Sequence, residues 1–250
     1  MVRLAPIWLV LLALPGPAGS QAWADSSALR ARQTIVKLNS IRGRVRLWRC
    51  EAKRAYRPLA ARFEYQTRSM CGPTSLANVL NALKRDSGSH ARHSQRSVLR
   101  DSGRTLDQVR GLTGTARGFS LRQLHKVLAQ YRPGATITVV TAREAGGLPR
   151  SAGRARKTET ARDPAARVKA ELISALGQKG TYVVANYDRS AIGQSGRGHF
   201  SPLGAYDARS DSFLVMDVSR KRGWAWVGAD ALVRAMGKTN TSRGYLVVSQ

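Results

Sequence analysis

Acidic side chains are scarce in this chain: 15 Asp and Glu face 42 Lys and Arg, for a formal net charge of +27. The imbalance leaves a field that draws in anions, whether peptides with extra carboxylates, nucleic acid or anionic lipid head groups. The basic residues fall in separate clusters, at residues 30–54, 84–104 and 143–167, with polar or small residues between them. No nucleic-acid motif and no regular aromatic interleaving accompanies them, which argues against specific nucleic-acid binding as the primary role. Cysteine is nearly absent, and Cys50 and Cys71 alone exclude a disulfide framework. The two could pair in an oxidising compartment, but Cys50, beside Trp48 and Arg49, reads as a small packed side chain. Metal-ligand patterns are missing too. His90 and His93 have no Cys-x-x-Cys near them and Asp86 as the nearest carboxylate, so no metal site is expected; with His125 they read as surface or loop histidines.

Long apolar runs are also lacking. The run at residues 7–14 is shorter than the ~20 residues a membrane-spanning helix needs. With Arg3 ahead of it and Ala22-Trp23-Ala24 behind, it reads as the core of a secretory signal peptide over residues 1–24. Cleavage near Ala24 would release an exported protein, periplasmic or secreted, with no transmembrane segment in the mature chain. Residues 25–250 are then enough for a single domain with a full hydrophobic core.

What is present is best patterned around Cys71. Leu76, Val79, Leu80 and Leu83 recur at i, i+3, i+4 and i+7, the signature of a buried helix face. Pro73 suits the first turn, where its missing N–H is no loss. Cys71 therefore falls at the helix entrance, where unpaired N–H groups and the helix dipole favour an anion such as a thiolate. Residues 84–117 read as a long basic loop with a short helix at 106–112, 119–131 as a helix and 135–141 as a strand. Residues 144–162 lack apolar periodicity and read as a basic surface insertion.

The last third is expected to hold a helix at 165–176 and a strand at 181–187. Two strands at 200–206 and 212–218, joined as a hairpin, should follow, then a strand around Trp224 to Val227, a helix at 229–236 and a strand at 244–249. Helices first and antiparallel strands afterwards give an α+β fold. His199 heads one hairpin strand and Asp217 ends the next, so an antiparallel pairing brings imidazole and carboxylate within reach. Cys, His and Asp are the three side chains of thiol acyl transfer. The thiolate attacks, the imidazole holds and returns the proton, and the carboxylate fixes the ring. The Cys71 backbone N–H and the Gln66 side-chain amide are candidate donors to the tetrahedral oxyanion.

At these residues the chain resembles the phytochelatin synthase family, of the papain-like cysteine peptidase superfamily. Cys71-Gly72-Pro73-Thr74-Ser75-Leu76-Ala77-Asn78-Val79-Leu80-Asn81-Ala82-Leu83 is similar to the family's Cys-Gly-x-x-Ser-x-x-x-Val-Leu-Asn-Ala-Leu helix. Gly198-His199-Phe200-Ser201-Pro202-Leu203-Gly204-Ala205-Tyr206 is similar to its Gly-His-Phe-Ser-Pro-Ile-Gly-Gly-Tyr strand, and Met216-Asp217-Val218-Ser219-Arg220 to its Leu-Asp-Val-Ala-Arg. The resemblance implies a papain-like fold, with the nucleophile helix packed on the sheet that carries His199 and Asp217. It implies that Cys71 takes a γ-glutamylcysteinyl group from glutathione and releases glycine. Water then gives hydrolysis, and a second glutathione gives transpeptidation to phytochelatin. No cofactor is required, although a heavy-metal ion or metal thiolate can enter as substrate. The family's eukaryotic members carry a cysteine-rich C-terminal region tied to heavy-metal response. This sequence ends at Gln250 without one, so it resembles the short bacterial form, for which hydrolysis is the expected outcome. Arg220 matches a family arginine and is a candidate partner for a substrate carboxylate, or else part of a surface ion pair. Gln66 stands one residue closer to the cysteine than the family's glutamine does.

Two other readings fit parts of the pattern. A bacteriocin-leader-processing peptidase has a similar Cys-Gly-x-x-Ser helix but continues to Asp-Pro, where this chain has Asp217-Val218. A basic, non-enzymatic envelope binding module would use the charge without the thiol.

Overall fold

A helix whose first turns are apolar or small on nearly every side has to be central, and the segment opening at Cys71 is of that kind, with its charged residues confined to the last turn. In the computed structural model, which describes residues 35–67, 69–86, 88, 92–110, 118–131, 137–141, 164–237 and 243–249, it is the longest helix. The described residues all belong to one unit, Gln33–Gln250. The proposed signal at 1–24 and the insertion at 144–162 lie outside them.

In chain order the elements are β1 (Val36–Lys37), α1 (Ile41–Arg49), α2 (Tyr56–Ala60), α3 (Cys71–Asp86), α4 (Gln95–Asp101), α5 (Leu106–Arg110), α6 (Leu121–Tyr131), β2 (Ile137–Thr141), α7 (Pro164–Gly177), β3 (Thr181–Asp188), β4 (Gly198–Asp207), β5 (Ser212–Val215), β6 (Ala225–Gly228), α8 (Ala229–Gly237) and β7 (Gly244–Ser249). The strands form one sheet of order β1-β6-β5-β4-β3-β7-β2, antiparallel at every pairing. The fold is α+β, as expected. Every residue of β3 is buried, so both faces of the central sheet are covered.

The helix α3 packs on β3 and β4 and against α2, α4 and α6. Leu76, Val79, Leu80 and Leu83 are at most 1% exposed, each burial contributing roughly 1.5–3 kcal/mol. Gly72, Thr74, Ser75, Ala77 and Asn78 are buried as well, so the helix is enclosed on more than the one face that the periodicity indicated. Its start is closely packed: a Cβ on Gly72 would stand 3.2 Å from Leu124 and Phe119 side-chain atoms, which would have to give by a few tenths of an ångström to admit a larger residue.

Between β4 and β5 the chain turns through a short 3-10 segment, Ala208–Ser210. The register shifts at Gly204, where an added Cβ would lie 2.6 Å from the Met216 sulfur. That glycine lets Met216 cross close over β4, and the Met216 N–H closes the crossing on Pro202 O at 2.9 Å. Strand β5 thus ends at Val215 rather than at the expected 218, and Asp217 stands just past it on a segment held by that bond.

The basic stretches hide structure that charge alone did not disclose. Within residues 84–117, expected as loop, Ser94 caps α4 through a reciprocal pair with Ser97. Likewise β1 and α1 lie in the basic cluster at 30–54, for which no element was expected, and α2 follows directly after it. Ser40 caps α1, and Arg49 clamps the helix to the end of β4 through both oxygens of Asp207, at 2.9 and 2.5 Å.

Candidate active site

The chain enters α3 through a tight turn. Ser69 is left-handed, with φ 65°, a conformation that stores strain in a non-glycine residue. The Met70 N–H returns to Thr67 O at 3.2 Å, and Thr74 bonds Met70 O through its N–H at 2.9 Å and its hydroxyl at 2.7 Å. Cys71 is left as the first helical residue, partly exposed and free.

His199 stands opposite Tyr187 in the β3–β4 register, and the buried Tyr187 ring meets it edge-on at 5.8 Å. The imidazole is 4% exposed and Asp217 2%. His199 Nε2 lies 2.8 Å from Asp217 Oδ1, which leaves Nδ1 to face the thiol. The Ser219 N–H also donates to Asp217 Oδ1, at 2.7 Å. A fourth side chain joins them that the sequence did not single out. Arg189 Nη2 donates to Asp217 Oδ1 and Oδ2 at 2.8 and 2.7 Å and stands 2.7 Å from His199 Nε2. It is carried by the 3-10 turn after β3, which Asp188 caps through Ser190 N at 2.9 Å and Ser190 Oγ at 2.7 Å.

Burial opposes charge at each of these groups, and their mutual contacts overrule it. Burial pushes the Cys71 thiol up, but contact with His199 and the N–H groups of Phe200 and Gly72 bring it below its ordinary value. Burial disfavours the imidazolium, yet Asp217 and the Cys71 thiolate hold the His199 pKa above the usual histidine value. Asp217 is held below the usual carboxylate range against its own burial, by His199, Arg189 and the Ser219 N–H. The arrangement favours a thiolate–imidazolium pair backed by a carboxylate, which is the charge state a thiol nucleophile needs.

Gln66 is brought alongside. Its N–H donates to Val218 O at 2.8 Å, which ties it to the residue after Asp217. Its side-chain Oε1 is buried without a hydrogen-bond partner among the described residues, so its carboxamide retains bonding capacity. Arg220 is exposed and places its guanidinium 4.6 Å from the Tyr65 ring centroid. It faces that ring rather than a carboxylate among the described residues, and it lines an open groove of ≈ 1320 Å³ with Tyr65, Arg54, Arg57 and Trp224. The groove is basic, with Glu51 its one acidic lining residue.

A family model described as phytochelatin synthase matches residues 27–245. The chain belongs to the phytochelatin synthase family. Among curated relatives, glutathione gamma-glutamylcysteinyltransferase 1 of Triticum aestivum is 32% identical over 201 residues, 74% of this chain and 34% of the relative. Glutathione gamma-glutamylcysteinyltransferase 1 of Lotus japonicus is 29% identical over 200 residues, again 74% and 34%. Glutathione gamma-glutamylcysteinyltransferase 3 of Lotus japonicus is 37% identical over 84 residues, 32% of this chain and 18% of the relative. The matched part thus spans about a third or less of those relatives.

In this phytochelatin synthase family member the other singled-out residues lie apart from the cluster. Cys50 is buried at the end of α1, where its thiol donates to Leu47 O at 3.3 Å. Burial raises its pKa to about 11. His93 packs edge-on against Tyr131 at 4.6 Å, and its backbone is clamped by the Asn81 carboxamide at 2.9 and 2.7 Å. His125 is half-buried on α6, and His90 lies outside the described residues. Among those residues no group of three His, Cys, Asp or Glu is placed to hold a metal ion, and no helix is long and apolar enough to cross a membrane.

Proposed function

We propose that this family member is a papain-like thiol acyltransferase that acts on glutathione. The observation that carries the proposal is the Cys71 thiol at the start of α3, in contact with a buried imidazole that is itself 2.8 Å from Asp217. Cys71 attacks the carbonyl between the cysteinyl and glycyl residues of glutathione. His199 delivers a proton to the departing amine of glycine, leaving a γ-glutamylcysteinyl thioester on Cys71. His199 then takes a proton from the incoming nucleophile: water gives γ-glutamylcysteine, and a second glutathione gives phytochelatin. Hydrolysis is the outcome we favour. A heavy-metal ion, if it takes part, enters as a thiolate of the substrate.

The supporting groups have definite tasks. Asp217 orients His199 and favours its cationic form. The Cys71 N–H and the Gln66 amide serve the oxyanion, and Arg220 meets a glutathione carboxylate at the mouth of the groove. Arg189 is a positioning residue. Its Nη2 can donate to His199 Nε2 only when that nitrogen has lost its proton, so it competes with the imidazolium for Asp217 and favours the neutral ring. The secretory reading of residues 1–24 stands as part of the proposal, with the working form beginning near Asp25 in an envelope space or outside the cell.

Mass spectrometry of the reduced protein with glutathione tests the reaction. Cys71-dependent glycine release and an acyl adduct on Cys71 are expected, and the ratio of γ-glutamylcysteine to longer oligomers separates hydrolysis from transpeptidation. Neither glycine nor adduct, with the thiol shown free, would remove the proposal.

A further inference from the structure

Helix α1 packs Leu47 against the core but carries its other large apolar side chains outward, and its Trp48 and Arg44 also form one wall of the groove that Arg220 lines. Another inward position is Gly43, where a Cβ would lie 2.0 Å from Lys37 O, and whose carbonyl accepts from the buried Trp226 Nε1 at 2.9 Å. Outward stand Ile41, Val45 and Trp48, which are 74%, 47% and 83% exposed. At the ~100° per residue of a helix these three fall within about 60° of circumference. They make one apolar stripe, with Arg44 on one flank and Arg42 and Arg49 on the other. The helix has no acidic residue in its sequence, Ile-Arg-Gly-Arg-Val-Arg-Leu-Trp-Arg. Isolated apolar side chains are ordinary on a surface, whereas a continuous stripe with a cationic border marks an interaction site.

We propose that α1 docks the protein on an anionic phospholipid surface. Trp48, Ile41 and Val45 enter the boundary between head groups and acyl chains, and Arg42 and Arg44, both exposed, meet lipid phosphates. Charge complementarity selects this occupant. A second copy of the chain would bring +27 against +27. A nucleic acid would satisfy the arginines and leave the stripe in water. A bilayer of acidic lipid accepts both halves of the surface.

Co-sedimentation of the full chain with vesicles of phosphatidylglycerol and phosphatidylcholine in equal parts, beside vesicles of phosphatidylcholine alone, tests the proposal. The variant Ile41→Ser/Val45→Ser/Trp48→Ser retains residues 1–24, so any difference from the parent reports on α1. Binding to the anionic vesicles is expected to fall at least about tenfold in this variant, with an unchanged circular dichroism spectrum. Arg42→Gln/Arg44→Gln should erase much of the preference for phosphatidylglycerol. If the triple variant does not fold, Trp48→Ala carries the same comparison. Equal binding by parent and stripe variant would overturn the proposal, as would a parent with no preference for the acidic lipid. So would light scattering, without vesicles, showing an oligomer that the stripe variant dissolves, since the stripe would then belong to a second copy.

Discussion

The two cysteines occupy opposite kinds of helix end. Cys50 follows the last residue of α1 and Cys71 is the first residue of α3. The end of a helix presents carbonyl oxygens and partial negative charge, and its start presents unpaired N–H groups and partial positive charge. Burial opposes ionisation at both sites. At Cys50 it dominates and the pKa rises to about 11, whereas at Cys71 the imidazole and two backbone N–H groups overrule it. Burial alone therefore does not mark a thiol as inert; what decides is whether the surrounding groups donate to sulfur or accept from it.

The sharpest way to break this contrast is to delete each thiol in turn. Cys71→Ala and His199→Ala are each expected to lower glycine release from glutathione by about 10⁴-fold or more, with the fold intact by circular dichroism. Cys50→Ala should leave turnover within about twofold, a change small enough to come from packing alone. Substantial turnover in a folded Cys71→Ala protein would end the nucleophile assignment. Next in size, Asp217→Asn keeps the shape of the pair but removes the charge behind His199, and kcat should drop about 10³-fold. Alkylation compares the thiols directly. At pH 7 iodoacetamide should label Cys71 at least about 10²-fold faster than Cys50, and matched rates would dissolve the distinction.

Smaller effects concern the charges behind the imidazole. Arg189→Met removes a cation next to both partners, which raises the pKa of Asp217 and that of His199. The alkaline limb of the kcat/KM profile should move to higher pH, and turnover should fall about tenfold through lost positioning of Asp217. A fixed limb with only a raised KM would assign Arg189 to substrate binding instead. The smallest effect is on stability. Asp217 is held below the usual carboxylate range, so its contribution is present above about pH 4 and is lost as pH falls through its folded value. His199 is raised, so its contribution is present below about pH 6.5 and is lost as pH rises through its folded value. Urea midpoints of the parent across pH should follow both limbs, and Asp217→Asn should flatten the acidic one.

The sequence disclosed most where periodicity and polarity agreed. The helix at Cys71, the hairpin carrying His199 and the closing strand at Gly244 follow from local pattern, and the boundaries of the last matched those expected. Short elements in arginine-rich segments were hidden, because cationic side chains mask a period that rests on few apolar residues. The caps at Ser40 and Ser94 were the available signals for α1 and α4. Arg189 had no signal of its own. Asp188 and Ser190 hint at a turn after β3, but only the three-dimensional approach of that turn to Asp217 gives the guanidinium its place. Asp217 itself was legible as a hairpin partner, while the crossing at Gly204 that carries it beyond β5 depends on a register shift that spacing does not show.

The order of connections has a consequence for assembly. His199 and Asp217 are 18 residues apart along the chain and meet by closing one hairpin, a short-range event available early in folding. The thiol arrives from a distant segment, delivered when α3 docks on β4. Loop-closure entropy grows only with the logarithm of the intervening length, about 0.6 kcal/mol per doubling, so extra chain between α3 and β4 weighs little on the final structure. Its burden falls on the rate of docking. A nascent chain with its hairpin formed and α3 still undocked would hold the imidazole and carboxylate in place while the sulfur kept the ordinary, sluggish chemistry of a free cysteine.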